Sequence, residues 1–519
     1  MRFRSHPVPK LVGLIAVVLL GAGAAPPVSR PLYQIACADL ATVKWGGFRI
    51  DASELLAATA ADPAHCRVRG TIDTEIHFEL LLPLERDWNQ RFVMGGGGGF
   101  VGSVQNGAMG PLSGSESPLG LGYATSGTDT GHQGGGVDAS WALDRPDREV
   151  NFGHRAVHLT AEVSKTIIRL HYGQDIDYNY FVGCSRGGGQ AMMESQRYPD
   201  DFDGIVAGAP AYDWTAIGAM GVQTAQAIYP NPRDPSDRTL TPEVLRLLSD
   251  AVLEACDDLD GVTDGILNDP RGCDFRPEDL PRCTAGGGGA CVSASALQAI
   301  RLIYRGPMVG GRVIYPGYPS GGEAESSGWG LWIGGGSGAG PGLPSLHFGF
   351  GTQIYKYFVF DDAEWDYSAY DFSTWASDTR AAAKILNATD TDLTAFDVSG
   401  GKLILWNGWS DPAITALGTI RYYEGLREGD PDADEYARLF LLPGVLHCGG
   451  GPGPDQVEWL ETIRKWVEEG EAPARLTATK RAADGIVEIQ RPLCAYPQVA
   501  RYDGGDPRRE ESFSCAATS

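Results

Sequence analysis

Tyr180-Phe-Val-Gly-Cys-Ser-Arg-Gly-Gly-Gly-Gln190 decides how this chain is read. The apolar run Tyr178 to Gly183 leads into a glycine-rich turn and then into a helix-compatible segment that continues to Arg197. Inside it, Gly183-Cys184-Ser185-Arg186-Gly187 fits G-x-S-x-G in the strand, turn and helix setting that this motif requires. A serine held on so sharp a turn needs neighbours without a Cβ, and the helix amino terminus behind it offers N–H groups to a developing negative charge. The pentapeptide alone also arises by chance in glycine-rich sequence, so its partners decide the matter.

Outward from this turn, other short apolar runs repeat the pattern. Phe92 to Met94 is stopped by five glycines, and Gly204 to Ala207, Lys402 to Trp406 and Leu439 to Leu442 are each followed by Gly, Asn or Pro. Helical stretches such as His154 to Leu170 lie between them, which predicts a parallel sheet with helices on both faces. The clearest helix has Asp455 and Glu458 as a capping box, Val457, Leu460, Ile463 and Val467 as an apolar face, and Gly470 as its stop. Between Asp213 and about Thr394 the alternation disappears. That stretch holds four cysteines, long glycine-rich segments and the aromatic clusters Trp329 to Trp332, Tyr355 to Phe360 and Trp365 to Phe372. The expected fold class is therefore α/β, with an α/β-hydrolase core from residues 25–212 and 395–519 and a lid domain inserted over residues 213–394.

In this architecture the serine, acid and histidine follow one another along the chain. Seven of the nine histidines precede Ser185, leaving His347, inside the insert, and His447, just past Leu439 to Leu442 and a Pro-Gly turn. His447 is the expected base, and Asp411, in Gly408-Trp-Ser-Asp-Pro412, is the expected acid. The oxyanion is expected to meet the backbone N–H of Arg186 and one from the Gly95 to Phe100 loop, Gly98 or Gly99. Cys184 precedes the serine and Cys448 follows the histidine, so a contact between Ser185 and His447 also brings two thiols near bridging distance.

Composition sets outer bounds. The chain has 519 residues, 43% hydrophobic and 21% charged, enough for a substantial core and two domains. Lys plus Arg number 42 against 66 Asp plus Glu, and the net charge of -24 opposes nucleic acid or an anionic membrane as a partner. Arg2, Arg4 and Lys10 before the apolar run Leu11 to Leu20, then Ala22-Gly-Ala24, read as a secretory leader over residues 1–24, and no later run is long enough to span a bilayer. The ten cysteines, Cys37, Cys66, Cys184, Cys256, Cys273, Cys283, Cys291, Cys448, Cys494 and Cys515, are compatible with five disulfides in an oxidising compartment, and no C-x-x-C occurs. A secreted or periplasmic protein is expected.

The stretch Tyr180 to Gln190, then Arg197-Tyr-Pro-Asp-Asp-Phe-Asp-Gly-Ile-Val-Ala-Gly-Ala-Pro-Ala211, Gly408 to Pro412, His447-Cys448 and Ser126-Gly-Thr-Asp-Thr-Gly-His132 together resemble the tannase and feruloyl esterase family. The resemblance runs from about Cys37 to Cys515. It implies a serine esterase acting on small aromatic esters (feruloyl groups on plant polysaccharide, galloyl esters, or a terephthalate monoester derived from polyester), with Cys184 paired to Cys448. Feruloyl esters are the first expectation; a silent binding protein of the same fold is disfavoured by the intact Ser, Asp and His. Two positions depart from the family pattern: Arg186, where Thr, Ser or an acid is more frequent, and Asn407, which replaces a frequent His. Arg186 is expected to pair with an acid of the insert, the alternative being a substrate carboxylate. Of the aromatic residues Trp329, Trp332, Tyr355, Phe358 and Trp365, more are expected in the core than against a substrate ring.

Asp257, Asp260 and Asp264 crowd a glycine-rich turn, and such carboxylates repel one another unless a hard cation neutralises them. The spacing is not that of an EF-hand. The resemblance implies a structural Ca2+ held by those three aspartates and the carbonyls of Val262 and Ile266, with Cys256 paired to Cys273.

Overall fold

The computed structural model describes residues 34–517, apart from 45, 233, 235, 285–289 and 335–343. The leader expected over residues 1–24 and the glycines 286–289 lie outside the described residues.

Nine strands form the central sheet: β1 (Phe48–Leu56), β2 (His65–Ile72), β3 (Ile76–Pro83), β4 (Arg91–Gly95), β5 (Ala124–Thr128), β6 (Tyr178–Cys184), β7 (Gly204–Gly208), β10 (Lys402–Gly408) and β11 (Ala437–Leu442). Two short strands, β8 (Met308–Val309) and β9 (Arg312–Val313), pair apart from it. The sheet order is β1-β2-β3-β5-β4-β6-β7-β10-β11. From β5 to β11 every pairing is parallel, as expected. The other edge corrects the expectation: β1, β2, β3 and β5 pair antiparallel, so the sheet is mixed. Short connections such as Asp73 to Glu75 can only reverse the chain, and these strands interleave Arg49, Asp51, Glu54, Arg67 and Glu79 with apolar residues, so they form no continuous apolar run.

Alternation along the parallel strands sorts their side chains into two cores. Phe92, Met94, Phe181, Ile205, Leu403, Leu405 and Leu439 join a core with the helices Ala156–Tyr172, Arg186–Arg197 and Ala416–Gly429. Val93, Val182, Val206, Ile404, Trp406 and Phe440 face the helix Trp459–Glu469 and part of the insert. In that helix Leu460, Ile463 and Trp466 are buried and Gly470 closes it with φ +73°. The expected capping box is not made. Asp455 accepts instead from Gly450 N, and the Glu458 carboxylate accepts from Ser115 N, so both acids pin neighbouring loops.

Between β7 and β10 no strand among the described residues joins the central sheet. The helices Trp214–Ile228, Pro242–Cys256 and Ala294–Arg305 build a third core around Met220, Leu248, Ile300 and Trp329, and the later part of the insert packs into the second core through Ile354, Tyr355 and Phe358. At the carboxyl end, β12 (Arg475–Arg481) pairs with β13 (Val487–Cys494) and β14 (Gln498–Tyr502) with β15 (Phe513–Ala517). All ten cysteines are paired: Cys37 with Cys66, Cys184 with Cys448, Cys256 with Cys273, Cys283 with Cys291, and Cys494 with Cys515. No helix of the described residues is long and apolar enough to cross a membrane.

Candidate functional site

Four parallel strands end on the same rim of the sheet, where ligands of open α/β sheets bind. β4 runs into the glycine loop, β6 into Ser185, β10 into the turn holding Asp411, and β11 into the loop holding His447. Ser185 has φ +62° and ψ -121°, a conformation rare for a residue with a side chain, and the turn is held by Ser185 N donating to Gly208 O and Ala211 N donating to Ser185 O. A Cβ on Gly183 would lie 2.5 Å from the Gly187 carbonyl carbon, which is why the motif needs glycine there.

Asp411 is sealed from solvent and heavily hydrogen-bonded. Its Oδ1 accepts from Ala413 N at 2.8 Å and Ile414 N at 2.9 Å, and His447 Nδ1 lies 2.9 Å from Oδ2. A carboxylate only accepts, so His447 Nδ1 carries the proton and Nε2 is left with its lone pair. Ser185 Oγ is outside hydrogen-bond geometry with that Nε2 in this conformation, a contact that is often long before substrate binds. The two loops are nevertheless joined covalently, since the Cys184 to Cys448 disulfide brackets Ser185 and His447 with a Cα separation of 5.9 Å. Asn407 braces this turn from below, donating to Gly408 O and Ile414 O and accepting from Thr419.

The glycine loop passes beside the serine. Gly96 N donates to Val182 O, Gly97 N to Gln190, Gly98 N to Gln105 at 2.7 Å, Phe100 N to Gly136 O and Val101 N to Gly98 O. Gly99 N alone in this run has no acceptor, and Gly99 shares a cavity wall with Ser185 and Arg186. Of the two expected glycines, Gly98 has its N–H committed elsewhere and Gly99 has it free. Arg186 N, the first residue of its helix, has no partner within the helix by construction. His132 holds this loop: it stacks on Trp141 with ring centres 3.5 Å apart and meets Phe100 O at 2.8 Å, and burial pushes it down to about 4.

The cavity beside Ser185 has a volume of about 520 Å3 including its open mouth, with Trp214, Ile217, Tyr318, Trp332 and Phe350 among its walls. Trp332 meets the His447 ring edge-on at 4.8 Å and stacks with Phe350 at 6.1 Å. Of the aromatic residues singled out in the sequence only Trp332 reaches the cavity; Trp329, Tyr355 and Phe358 are core, and Trp365 stacks on Phe360 away from it. Sequence reasoning missed Trp214, Tyr318 and Phe350, which stand in no motif. It also undervalued His347, whose Nε2 lies 2.9 Å from Pro412 O beside the Asp411 turn, while Tyr318 donates to Ala413 O. Burial pushes His347 down to about 4, so it is neutral and positions that turn.

Arg186 corrects the expectation directly. It is 1% exposed and makes no ion pair with an acid of the insert or any other described acid. Its guanidinium donates to the carbonyls of Phe152 and Gly153, lies 4.2 Å from the Phe152 ring centre and 5.3 Å from that of Trp214, and leaves Nε and Nη1 without partners.

In the acidic turn, Asp257 Oδ1 accepts from Gly265 N, Asp260 Oδ1 from Val262 N, and Asp264 Oδ1 from Ile266 N, while the other Asp264 oxygen pairs with the buried Arg491. The three carboxylates do not converge on one point in this arrangement. Their donor set still suits a hard cation: it is all oxygen, Asp260 Oδ2 is buried without a partner, and the carbonyls of Val262 and Ile266 accept no hydrogen bond. Burial and the nearby Asp264 and Asp257 charges raise Asp260 to about 6. One histidine and acid group does converge among the described residues, His158 with Glu194 and Asp201; a 2.6 Å hydrogen bond joins His158 to Asp201 and Lys165 lies 3.4 Å from Asp201, while both carboxylate oxygens of Glu194 are buried without a partner.

The family model for tannase and feruloyl esterase matches residues 61–516. The chain belongs to the tannase and feruloyl esterase family. It is 34% identical to a mono(2-hydroxyethyl) terephthalate hydrolase of Piscinibacter sakaiensis, across 90% of this chain and 87% of that one, and 33% identical to a probable feruloyl esterase of Arthroderma benhamiae, across 86% and 83%. The crystal structure of feruloyl esterase B from Aspergillus oryzae superposes with a TM-score of 0.79 at 25% identity, covering 92% of this chain and 99% of that one. The protein is a carboxylic ester hydrolase with an α/β-hydrolase fold.

Proposed function

We propose that this esterase hydrolyses esters of aromatic acids through an acyl-enzyme on Ser185. The observation that carries this reading is the aromatic cavity opening on a serine whose turn is tied to the His447 loop by a disulfide. His447 Nε2 takes the Ser185 proton as Oγ attacks the ester carbonyl carbon, and Asp411 fixes the tautomer and stabilises the cation. The N–H groups of Arg186 and Gly99 receive the oxyanion. Collapse releases the alcohol, which takes the proton from His447; water activated by the same imidazole then frees the acid and restores the serine. The flat apolar walls formed by Trp214, Trp332 and Phe350 match an aromatic acyl group, and the insert that supplies Trp332 and Phe350 acts as the lid.

Feruloyl-type, galloyl and terephthalate monoesters all fall in this class, and the names of the relatives support it. Assays with methyl ferulate, methyl gallate, mono(2-hydroxyethyl) terephthalate and an aliphatic ester of equal size are expected to show at least tenfold higher kcat/KM for an aromatic acid. A faster aliphatic ester overturns the reading.

The same proposal includes a structural Ca2+ at Asp257, Asp260, Asp264 and the carbonyls of Val262 and Ile266, where it would neutralise the crowded carboxylates and tie the insert to β13 to β15, against which Val262 packs. Chelation with EDTA should lower Tm by several degrees, reversibly with Ca2+; an unchanged Tm overturns the metal. Export to periplasm or medium completes the proposal, supported by five disulfides and the leader pattern.

A further inference from the structure

The helix that begins at Arg186 carries, near its other end, a carboxylate without a donor. Glu194 is fully buried, and neither of its carboxylate oxygens has a hydrogen-bond partner. A Glu194 oxygen, a ring nitrogen of His158 and an oxygen of Asp201, itself 5% exposed, all lie within 4.8 Å of one another. Three separate segments converge there: the helix Ala156–Tyr172, the helix Arg186–Arg197 and the loop before β7. Stacking on Tyr198, with ring centres 4.0 Å apart and planes within 6°, fixes the His158 ring, whose Nδ1 lies 2.6 Å from Asp201 Oδ2. Lys165 meets the other Asp201 oxygen at 3.4 Å and is shared with Glu162, so it leaves Glu194 unanswered. A buried carboxylate in that state is costly until a proton or a cation neutralises it.

The two remedies differ in what they satisfy. A proton on Glu194 makes one O–H donor towards Asp201 and leaves the second Glu194 oxygen without a partner. A cation can take both Glu194 oxygens and uses the histidine as well. We infer that His158, Glu194 and Asp201 form a binding site for a divalent first-row cation, with Zn2+ as the expected occupant. A set that mixes imidazole with carboxylates suits Zn2+, whereas Ca2+ takes oxygen alone. At bond lengths of about 2.1 Å a tetrahedral Zn2+ holds its ligand atoms roughly 3.3 Å apart, a spacing that side-chain adjustment reaches from this cluster. The ion takes the place of the hydrogen between Nδ1 and Oδ2, the imidazole binding as its neutral Nε2–H tautomer, while Oδ1 keeps Lys165. The His158 side chain is 29% exposed, which gives the ion a way in and water the remaining position. Glu194 lies nine residues after Ser185, about 13 Å along the helix, so the ion ties two helices together and touches no ester.

The enzyme, stripped with a chelator and then kept in excess Ca2+ so that the Asp260 turn is supplied, should bind one equivalent of Zn2+ in titration calorimetry and gain several degrees in Tm. Co2+ in its place should show the visible absorption of a tetrahedral nitrogen and oxygen site. Glu194→Gln, which keeps the shape and cannot ionise, and His158→Gln, at the half-exposed position least able to disturb folding, should each weaken Zn2+ binding at least tenfold and lose the Tm gain. Ester hydrolysis should stay within twofold of wild type in both. Zn2+ binding that is absent from the wild type, or undiminished in both variants, overturns the site. A wild-type Tm that ignores Zn2+ and is matched by Glu194→Gln assigns the cluster to a shared proton and overturns the metal.

Discussion

The two sides of the cavity follow opposite rules. On the side proposed to perform the chemistry, Asp411, Asn407 and Tyr318 have partners for their side-chain polar atoms, and the loops carrying Ser185 and His447 are cross-linked. On the side lined by Arg186 and Trp214, buried donors are left without acceptors. The difference separates a turn whose polar groups are fully braced from a wall whose buried donors are left open. Preorganised dipoles must be in place before the transition state forms.

Breaking the braced side should cost most. Asp411→Asn removes the acceptor that fixes the His447 tautomer, and kcat is expected to fall about 10³- to 10⁴-fold with little change in KM; a loss under tenfold would remove Asp411 from the mechanism. Next comes the tether. Replacing Cys184 and Cys448 together by alanine should cost about 2 to 5 kcal/mol of stability and lower kcat about 10²-fold by letting the His447 loop drift. Replacing Cys37 and Cys66, whose bridge lies at the antiparallel edge, should lower Tm and spare kcat, and equal kinetic effects from the two pairs would erase the distinction. On the open side the effects shrink: Trp332→Ala should raise KM for aromatic esters by roughly two- to tenfold.

The smallest effect comes from the neutral buried histidines. His132 and His347 both sit near 4 because burial penalises their charged forms, while in the unfolded chain they titrate near the ordinary histidine value of 6.5. A depressed folded value means that the unfolded chain binds more protons, so the stability they contribute is complete above about pH 6.5 and is lost as pH falls towards 4. Thermal melts should show Tm falling across that window, and a smaller fall in His347→Gln; an unchanged slope in that variant would contradict the assignment of His347 as a buried neutral group.

The braced side was also the legible side. A strand run, two glycines and a serine specify the elbow locally, and chain order then left only His447 outside the insert, with Asp411 in the turn after the strand Lys402 to Trp406. The cysteine pair beside Ser185 and His447 made the long-range contact readable. The aromatic wall of the cavity was not legible, because Trp214, Tyr318 and Phe350 are separated by long stretches of sequence, the first and last on different helices and Tyr318 in an irregular segment, and only tertiary packing brings them together. The fold divides in the same way. The parallel strands are buried on both faces and read as apolar runs, whereas β1 to β3 and β12 to β15 mix charge into half-exposed strands, and Arg491, which reaches Asp264, lies on one of these. The misread capping box has a physical reason as well: a loop that needs an acceptor took Asp455 before the helix could.

The central claim is that Ser185 is the nucleophile. It is tested most directly by treating the enzyme with an aryl fluorophosphonate and mapping the adduct by mass spectrometry after reduction and digestion. The account predicts complete inactivation with one adduct, on Ser185. Full inactivation with the label on another side chain, or hydrolysis that persists while Ser185 is fully labelled, would contradict it.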